Sequence, residues 1–259
     1  MTTVVTSREG PVALLKLNRP DARNALSAQV VDDLQTVFEA LREDKAVRAV
    51  VLGGEGRVFC AGADLRALQQ LESASSEANK ADSARLADLL HLIYTFPKPV
   101  IAAVEGAAIA GGAGLACACD LVIAGEGAKF GYTEVRLGFV AAIVTVFLLR
   151  AVGEKRAREL LLTGKLVEAH EARRVGLVNE VVPDGTALAR ALEVAFEIAR
   201  NSPTALASTK ELLAAVPGMG LSEALRYAVG VNAWTRTTND LKEGVAAFLE
   251  KRAPVWEER

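Results

Sequence analysis

The residues best suited to chemistry in this chain are small ones gathered at a turn. The apolar run Pro99-Val100-Ile101-Ala102-Ala103 reads as a buried strand, and it is followed by Val104-Glu105-Gly106-Ala107-Ala108-Ile109-Ala110-Gly111-Gly112-Ala113-Gly114. A glycine-rich turn that opens a helix leaves backbone N–H groups bare at the positive end of the helix dipole, where developing negative charge is best received. Alone, such a turn more often marks close packing between backbones than a chemical device. A second small-residue turn, Phe59-Cys60-Ala61-Gly62-Ala63-Asp64-Leu65, also precedes a predicted helix. Two such turns, each after a strand, are what a two-donor oxyanion hole requires.

Other chemistries find little support. The three cysteines make no disulfide framework, and Cys117 and Cys119 are two apart, so on a helix they face different ways and read as buried thiols. The two histidines, His91 and His170, have no nucleophile or ligand partner near in sequence, so no metal and no Ser-His-Asp chemistry is expected. With 30 Lys and Arg against 32 Asp and Glu in 259 residues, and no block of either sign, nucleic acid is not an expected partner. No run of 18 or more apolar residues suggests a membrane partner. Met1–Glu9 lacks the charged and apolar regions of a secretory signal, so the expected location is the cytoplasm.

The elements that must position the two turns follow from periodicity. Strands are expected at Val4–Arg8, Val12–Leu17, Ala46–Leu52, Asp120–Ala124 and Leu177–Val182. A helix over Ala28–Arg42 has Ser27 as its cap, and another is expected over Ser83–Thr95, stopped by Phe96-Pro97-Lys98-Pro99. Ser73–Asp82 is poorly patterned and reads as a mobile loop or frayed helix, and Lys129–Gly138 as an extended loop. Helices then follow near Ala141–Val152, Glu154–Thr163, Glu168–Val175, Thr186–Arg200, Pro203–Ala215, Leu221–Thr235 and Leu241–Lys251. Ser202 before Pro203 is a cap, and Asp240 with Glu243 has capping-box spacing. An alternating α/β core, residues 1–195, is thus expected ahead of a helical region, 196–259, whose apolar faces suggest subunit contacts.

With these turns the chain resembles the crotonase, or enoyl-CoA hydratase/isomerase, superfamily. The ordered pieces are Asn18-Arg19-Pro20, Asn24-Ala25-Leu26, Phe59–Leu65, Pro99–Gly106 with Ala110-Gly111-Gly112, Cys119-Asp120-Leu121, Phe130-Gly131-Tyr132-Thr133-Glu134, Leu162-Thr163-Gly164 and Ala172–Val178. The resemblance implies an α/β crotonase-type fold of repeated β-β-α units with a C-terminal helical region, assembled as a homotrimer or as a homohexamer built from two trimers. It places oxyanion donors on the amides of Ala63 and Gly111, which would hold the thioester carbonyl of an acyl-CoA substrate. CoA is part of that substrate, and no separate cofactor is implied. Arg23, Ala25, Ala61 and Leu65 would line the adenine and pantetheine, with Asp64 and Thr133 also in the substrate-binding set.

Position by position, the family's acid–base residue falls on Glu134. Its neighbours Val135, Leu137, Phe139 and Val140 are apolar, and the expectation is that they desolvate its carboxyl and raise its pKa toward neutrality. Family hydratases usually carry a further glutamate three positions after the oxyanion glycine, where this chain has Gly114. The glycine-proline loop usual after Gly138 is replaced by Phe139-Val140-Ala141-Ala142-Ile143-Val144. Hydration of a 2-trans-enoyl-CoA is the favoured reaction, with the hydroxyls of Tyr132 or Thr133 available to assist the water. A Δ3,Δ2-enoyl-CoA isomerase using Glu134 alone is the alternative, and a non-catalytic acyl-CoA-binding homologue is a third.

Overall fold

The computed structural model describes residues 2–71 and 73–256. Met1 and the last three residues of the helical tail lie outside them. The chain opens with β1 (Val4–Glu9) and β2 (Val12–Leu17), then α1 (Ala28–Glu43), β3 (Ala49–Gly54), α2 (Leu65–Leu71) and α3 (Ser76–Tyr94). Next come β4 (Val100–Val104), β5 (Ala107–Ile109), α4 (Gly111–Ala118), β6 (Leu121–Gly125) and β7 (Lys129–Gly131). They are followed by α5 (Ala142–Thr163), β8 (Leu166–Glu168), α6 (Ala169–Val175) and β9 (Glu180–Val182). The remainder is helical: α7 (Ala187–Ile198), α8 (Pro203–Ala215), α9 (Leu221–Thr235) and α10 (Asn239–Glu250).

Six strands form one sheet in the order β1-β2-β3-β4-β6-β9, parallel except at the β1–β2 edge. Side chains alternate across it, as the period of two in a strand requires. Ala13, Leu15, Leu17, Val50, Leu52, Val100, Ala102 and Val104 point into the core shared with α1, α3 and α4. Val12, Leu14, Ala49, Val51, Ile101 and Ala103 point the other way, against Ala187, Ala191 and Ala195 of α7. A sheet buried on both faces needs continuous apolar strands, which is why these segments read so clearly in the sequence. A second, three-stranded sheet, β5-β7-β8, was not expected, because three-residue strands are too short to show periodicity.

Several expectations are corrected. Ser76–Asp82 is the first part of α3, capped by Ser75, whose Oγ accepts the Ala78 N–H at 3.1 Å. That half is solvent-exposed and carries no apolar stripe; the helix is anchored by Leu89, Leu90 and Ile93 further on. The segment 129–138 is β7 followed by a 3-10 turn at Glu134–Leu137. The helices expected at 141–152 and 154–163 are borne out: α5 is two helical stretches that meet at a kink, where Gly153 has a non-helical backbone (φ 72°, ψ 168°). Thr238, not Asp240, caps α10, its Oγ1 accepting from Leu241 N–H at 3.2 Å. Asp240 instead receives Ser202 Oγ at 2.5 Å and Thr204 N–H at 3.2 Å, tying the starts of α8 and α10 together.

The tail is fastened to the core by a buried charge. Lys210 of α8 is 8% exposed and its ammonium donates to Asp120, which also accepts the Val100 N–H at 2.7 Å. Removing one partner strands the other charge away from water. Lys210→Ala is expected to lower the unfolding free energy by about 3 kcal/mol, and Lys210→Met with Asp120→Asn by clearly less, measured by denaturant titration.

Candidate active site

The first turn is shaped by two isolated bridges. Cys60 N–H donates to Ala107 O and Ile109 N–H to Cys60 O, both at 3.0 Å, which ties the 59–63 segment to β5. Leu26 N–H donates to Gly62 O at 2.8 Å and Asp64 N–H to Leu26 O at 3.1 Å. In parallel pairing the residue between such partners turns its own amide to the opposite side. The N–H of Ala63 therefore points away from Leu26, and among the described residues it has no acceptor.

The second turn is the start of α4. Gly111 N–H is the first amide of that helix and likewise has no acceptor among the described residues. A Cβ built on Gly111 would lie 3.9 Å from Ala63 N, so the two amides are neighbours. Ala110, just before it, holds φ 53° and ψ −121°, and its N–H donates to Gly131 O at 2.7 Å. For a residue with a side chain this backbone is strained, by about 1–3 kcal/mol. The strain is locked in by contact: a Cβ on Gly62 (φ +90°) would fall 2.8 Å from Ala110 Cβ, and one on Gly112 would fall 2.3 Å from Cys60 O. Close packing and a bare pair of amides are thus the same feature.

Glu134 follows β7, which pairs with β5 so that Gly131 lies beside Ile109 at the edge of this turn. Its side chain is buried, its Oε2 has no protein hydrogen-bond partner, and burial raises its pKa above the ordinary glutamate value. The proposed cause does not hold: Val135, Leu137, Phe139 and Val140 are all exposed, so the desolvation comes from the fold and not from chain neighbours. Gly114 is explained by α5. A Cβ there would lie 2.1 Å from Val144 Cγ1, so Val144, buried at 3% exposure, fills the place where a second side chain would begin. The only forewarning in the sequence was the altered loop that contains Val144.

Arg23, Ala25, Ala61, Asp64 and Leu65 lie about the Ala63 turn, tied to it by hydrogen bonds or by the chain itself, whereas Thr133 directly precedes Glu134 in the segment after β7. Arg23 and Asn24 both have left-handed backbones (φ 51° and 54°), and Arg23 O accepts Ala61 N–H at 3.0 Å. Buried Asn24 holds that shape, accepting Arg19 N–H at 2.8 Å and donating to Glu55 O and Val58 O at 2.9 and 2.7 Å. Arg19 donates to Ala25 O at 2.7 Å and pairs with Asp64 at 3.0 Å, and this hydrogen bond is the main reason the Asp64 carboxyl is held low. Asp64 also accepts the Arg66 N–H at the start of α2. Leu65 and Arg23 are exposed; Ala25 is buried, and Ala61 and Thr133 are half-buried. Arg19 and Asn24 lay in quoted motifs, but their bracing roles depend on partners that only folding supplies.

The thiols of Cys60 and Cys117 are pushed up to about 12 by burial, which leaves them unreactive at neutral pH. Among the described residues no group of three His, Cys, Asp or Glu side chains is placed to hold a metal. Two variants test the turn. Gly112→Ala is expected to cost about 3 kcal/mol or more, because the Cys60 backbone cannot retreat. Ala110→Gly is expected to stabilise by about 1 kcal/mol, the relieved strain exceeding the entropy of a glycine; thermal unfolding measures both.

Known proteins match this chain along nearly its whole length. The family described as Enoyl-CoA hydratase/isomerase matches residues 7–259. A Thermus thermophilus protein named "Putative enoyl-CoA hydratase" is 54% identical over 251 residues, covering 97% of this chain and 99% of its own. The 2,3-dehydroadipyl-CoA hydratase of Escherichia coli is 37% identical, with 98% of each chain covered. The crystal structure of an enoyl-CoA hydratase from Polaromonas superposes with a TM-score of 0.94 at 35% identity, covering 98% of this chain and 99% of that one. Matched along nearly its full length in both sequence and fold, this chain belongs to the enoyl-CoA hydratase/isomerase family.

Proposed function

We propose that this protein is an enoyl-CoA hydratase, a lyase that adds water across the double bond of 2-trans-enoyl-CoA thioesters. The observation that carries the reading is the pair of neighbouring, unbonded amides at Ala63 and Gly111 on the turn that Gly131 joins to the Glu134 segment. In the reaction, the Glu134 carboxylate takes one proton from water as the oxygen bonds to Cβ. The double-bond electrons move onto the thioester oxygen, where the two N–H groups receive the charge. The enolate then collapses, and Glu134 returns the proton to Cα. Each such donor is worth about 3 kcal/mol of barrier. Arg23, Ala25, Ala61 and Leu65, with Asp64, are read here as the binding surface for the CoA portion and the thioester, and Thr133 belongs to the same substrate-binding set. CoA belongs to the substrate, and the chemistry asks for no other cofactor.

The tail, residues 196–259, is read as the oligomerisation region. Leu213, Leu221, Leu225, Val229, Phe248 and Leu249 are exposed on α8, α9 and α10. A groove of about 1190 Å³ lies among these helices, lined by Leu212, Leu225, Val229, Phe248 and Trp256 and by none of the proposed catalytic residues. Apolar surface of this extent suits cover by another copy of the chain. No helix among the described residues is long and apolar enough to cross a membrane.

Loss of the conjugated thioester absorbance of crotonyl-CoA measures the reaction. Glu134→Gln is expected to abolish turnover while CoA-ester binding survives; unchanged activity overturns the role given to Glu134. Because the carboxyl must be ionised to accept the proton and its pKa is raised, kcat is expected to fall on the acid side at a pH above that of an ordinary glutamate. A single carboxyl is also all that an isomerisation needs, so 3-enoyl-CoA run in parallel distinguishes the two reactions. Light scattering is expected to show a trimer or hexamer, and a monomer defeats the reading of the tail.

A further inference from the structure

The two amides of the turn are not supported alike. Gly111 N–H heads α4, and the carbonyl of its own peptide group, Ala110 O, accepts Gly114 N–H at 3.0 Å, so the stacked peptides of the helix polarise it. Ala63 stands between β3 and α2 and belongs to neither. What lies behind its amide can be followed bond by bond. In a trans peptide the carbonyl and the N–H point in opposite directions. The peptide that carries Ala63 N–H accepts Leu26 N–H on Gly62 O at 2.8 Å. The peptide that carries Leu26 N–H accepts the Arg19 guanidinium on Ala25 O at 2.7 Å. Two peptide groups thus stand head to tail between a fixed positive charge and the open side of Ala63. Arg19 is itself anchored: its N–H donates to Asn24 Oδ1 at 2.8 Å, its carbonyl accepts Asn24 N–H at 2.9 Å, and its second guanidinium nitrogen pairs with Asp64 at 3.0 Å. Asp64 directly follows Ala63, and a bare carboxylate there would oppose any negative charge gathering at the amide.

We propose that Arg19 is a positioning residue for the reaction, whose charge, passed through the Ala25–Leu26 and Gly62–Ala63 peptides, holds and polarises the Ala63 amide. The proposal rests on the hydratase reading. Hydrogen bonds in series strengthen one another, and one that begins at an ion is stronger than one between neutral groups. Arg19 thereby does for Ala63 what the helix dipole does for Gly111. The guanidinium neither touches the substrate nor exchanges a proton with it. Its effect grows with the charge on the thioester oxygen, so it acts on kcat more than on KM.

Removing Arg19 alone leaves Asp64 bare, so the comparison is made on a neutral background: Asp64→Asn against Arg19→Gln with Asp64→Asn. Loss of the charge is expected to lower kcat for crotonyl-CoA about tenfold, with KM little changed. The same two variants are compared by difference infrared spectroscopy of butyryl-CoA labelled at its thioester carbonyl, which lacks the double bond and cannot be hydrated. The bound carbonyl is expected below its free frequency, and less far below in the double variant than in Asp64→Asn. Arg19→Lys with Asp64→Asn, which keeps a charge on a different frame, is expected to fall between them. Equal kcat in the first two variants overturns the proposal. A fall in kcat with an unmoved carbonyl frequency marks a structural brace and overturns it too, as does a lysine no better than glutamine. A carbonyl frequency that stays put when butyryl-CoA binds the unaltered protein, or no hydration of crotonyl-CoA by it, defeats the hydratase reading itself.

Discussion

The structure depends on one close approach, that of the N-terminus of α4 to the 60–63 segment. Gly112 sits against the Cys60 carbonyl and Gly62 against Ala110, with no room for a Cβ at either glycine. This contact orients the Ala63 amide, fixes the strained Ala110 backbone and brings Gly111 N beside Ala63. Interiors this dense do not deform by small degrees. A turn held so tightly presents its N–H groups already aligned, which is what makes fixed dipoles effective toward developing charge. Strain at Ala110 is tolerated because neighbours on both sides determine it.

Around that contact the chain braces itself with polar groups of little direct chemical use. Asn24 satisfies three backbone groups, and Arg19 joins Ala25 O to Asp64, so the surround of the Ala63 turn is rigid without regular secondary structure. The carboxyl proposed to act is treated in the opposite way. Glu134 Oε2 is left without a protein partner, and burial raises its affinity for a proton. One carboxylate is satisfied and held low at Asp64, while another is starved and raised at Glu134. Contrasts of this kind are how a fold separates bracing from proton transfer.

The two faces of the large sheet divide their labour. One faces the large core and the α4 turn; the other is covered by the alanine-rich side of α7, which allows close approach. The tail beyond α7 carries exposed leucines and a phenylalanine, yet it is anchored to the core through Lys210 and Asp120. A buried pair of this kind does less for net stability than for fixing one arrangement, since both charges must be removed from water together.

Much of this was legible in the sequence because local rules were obeyed. Continuous apolar strands, the Ser27 and Ser202 caps, helix α8 at Pro203–Ala215 and α9 at Leu221–Thr235 all follow from periodicity and capping, which act over a few residues. So did the two small-residue turns, since only glycine and alanine tolerate such contact. What the sequence could not reveal were relations between distant positions. Lys210 meets Asp120 across 90 residues, Val144 of α5 fills the space over Gly114 of α4, and Glu134 is buried although its own neighbours face solvent. Spacing reports only what lies within a turn or a strand. Direction of an amide, burial of a carboxyl and the filling of a hole belong to the packed chain, because each is decided by atoms that meet only when the elements close on one another.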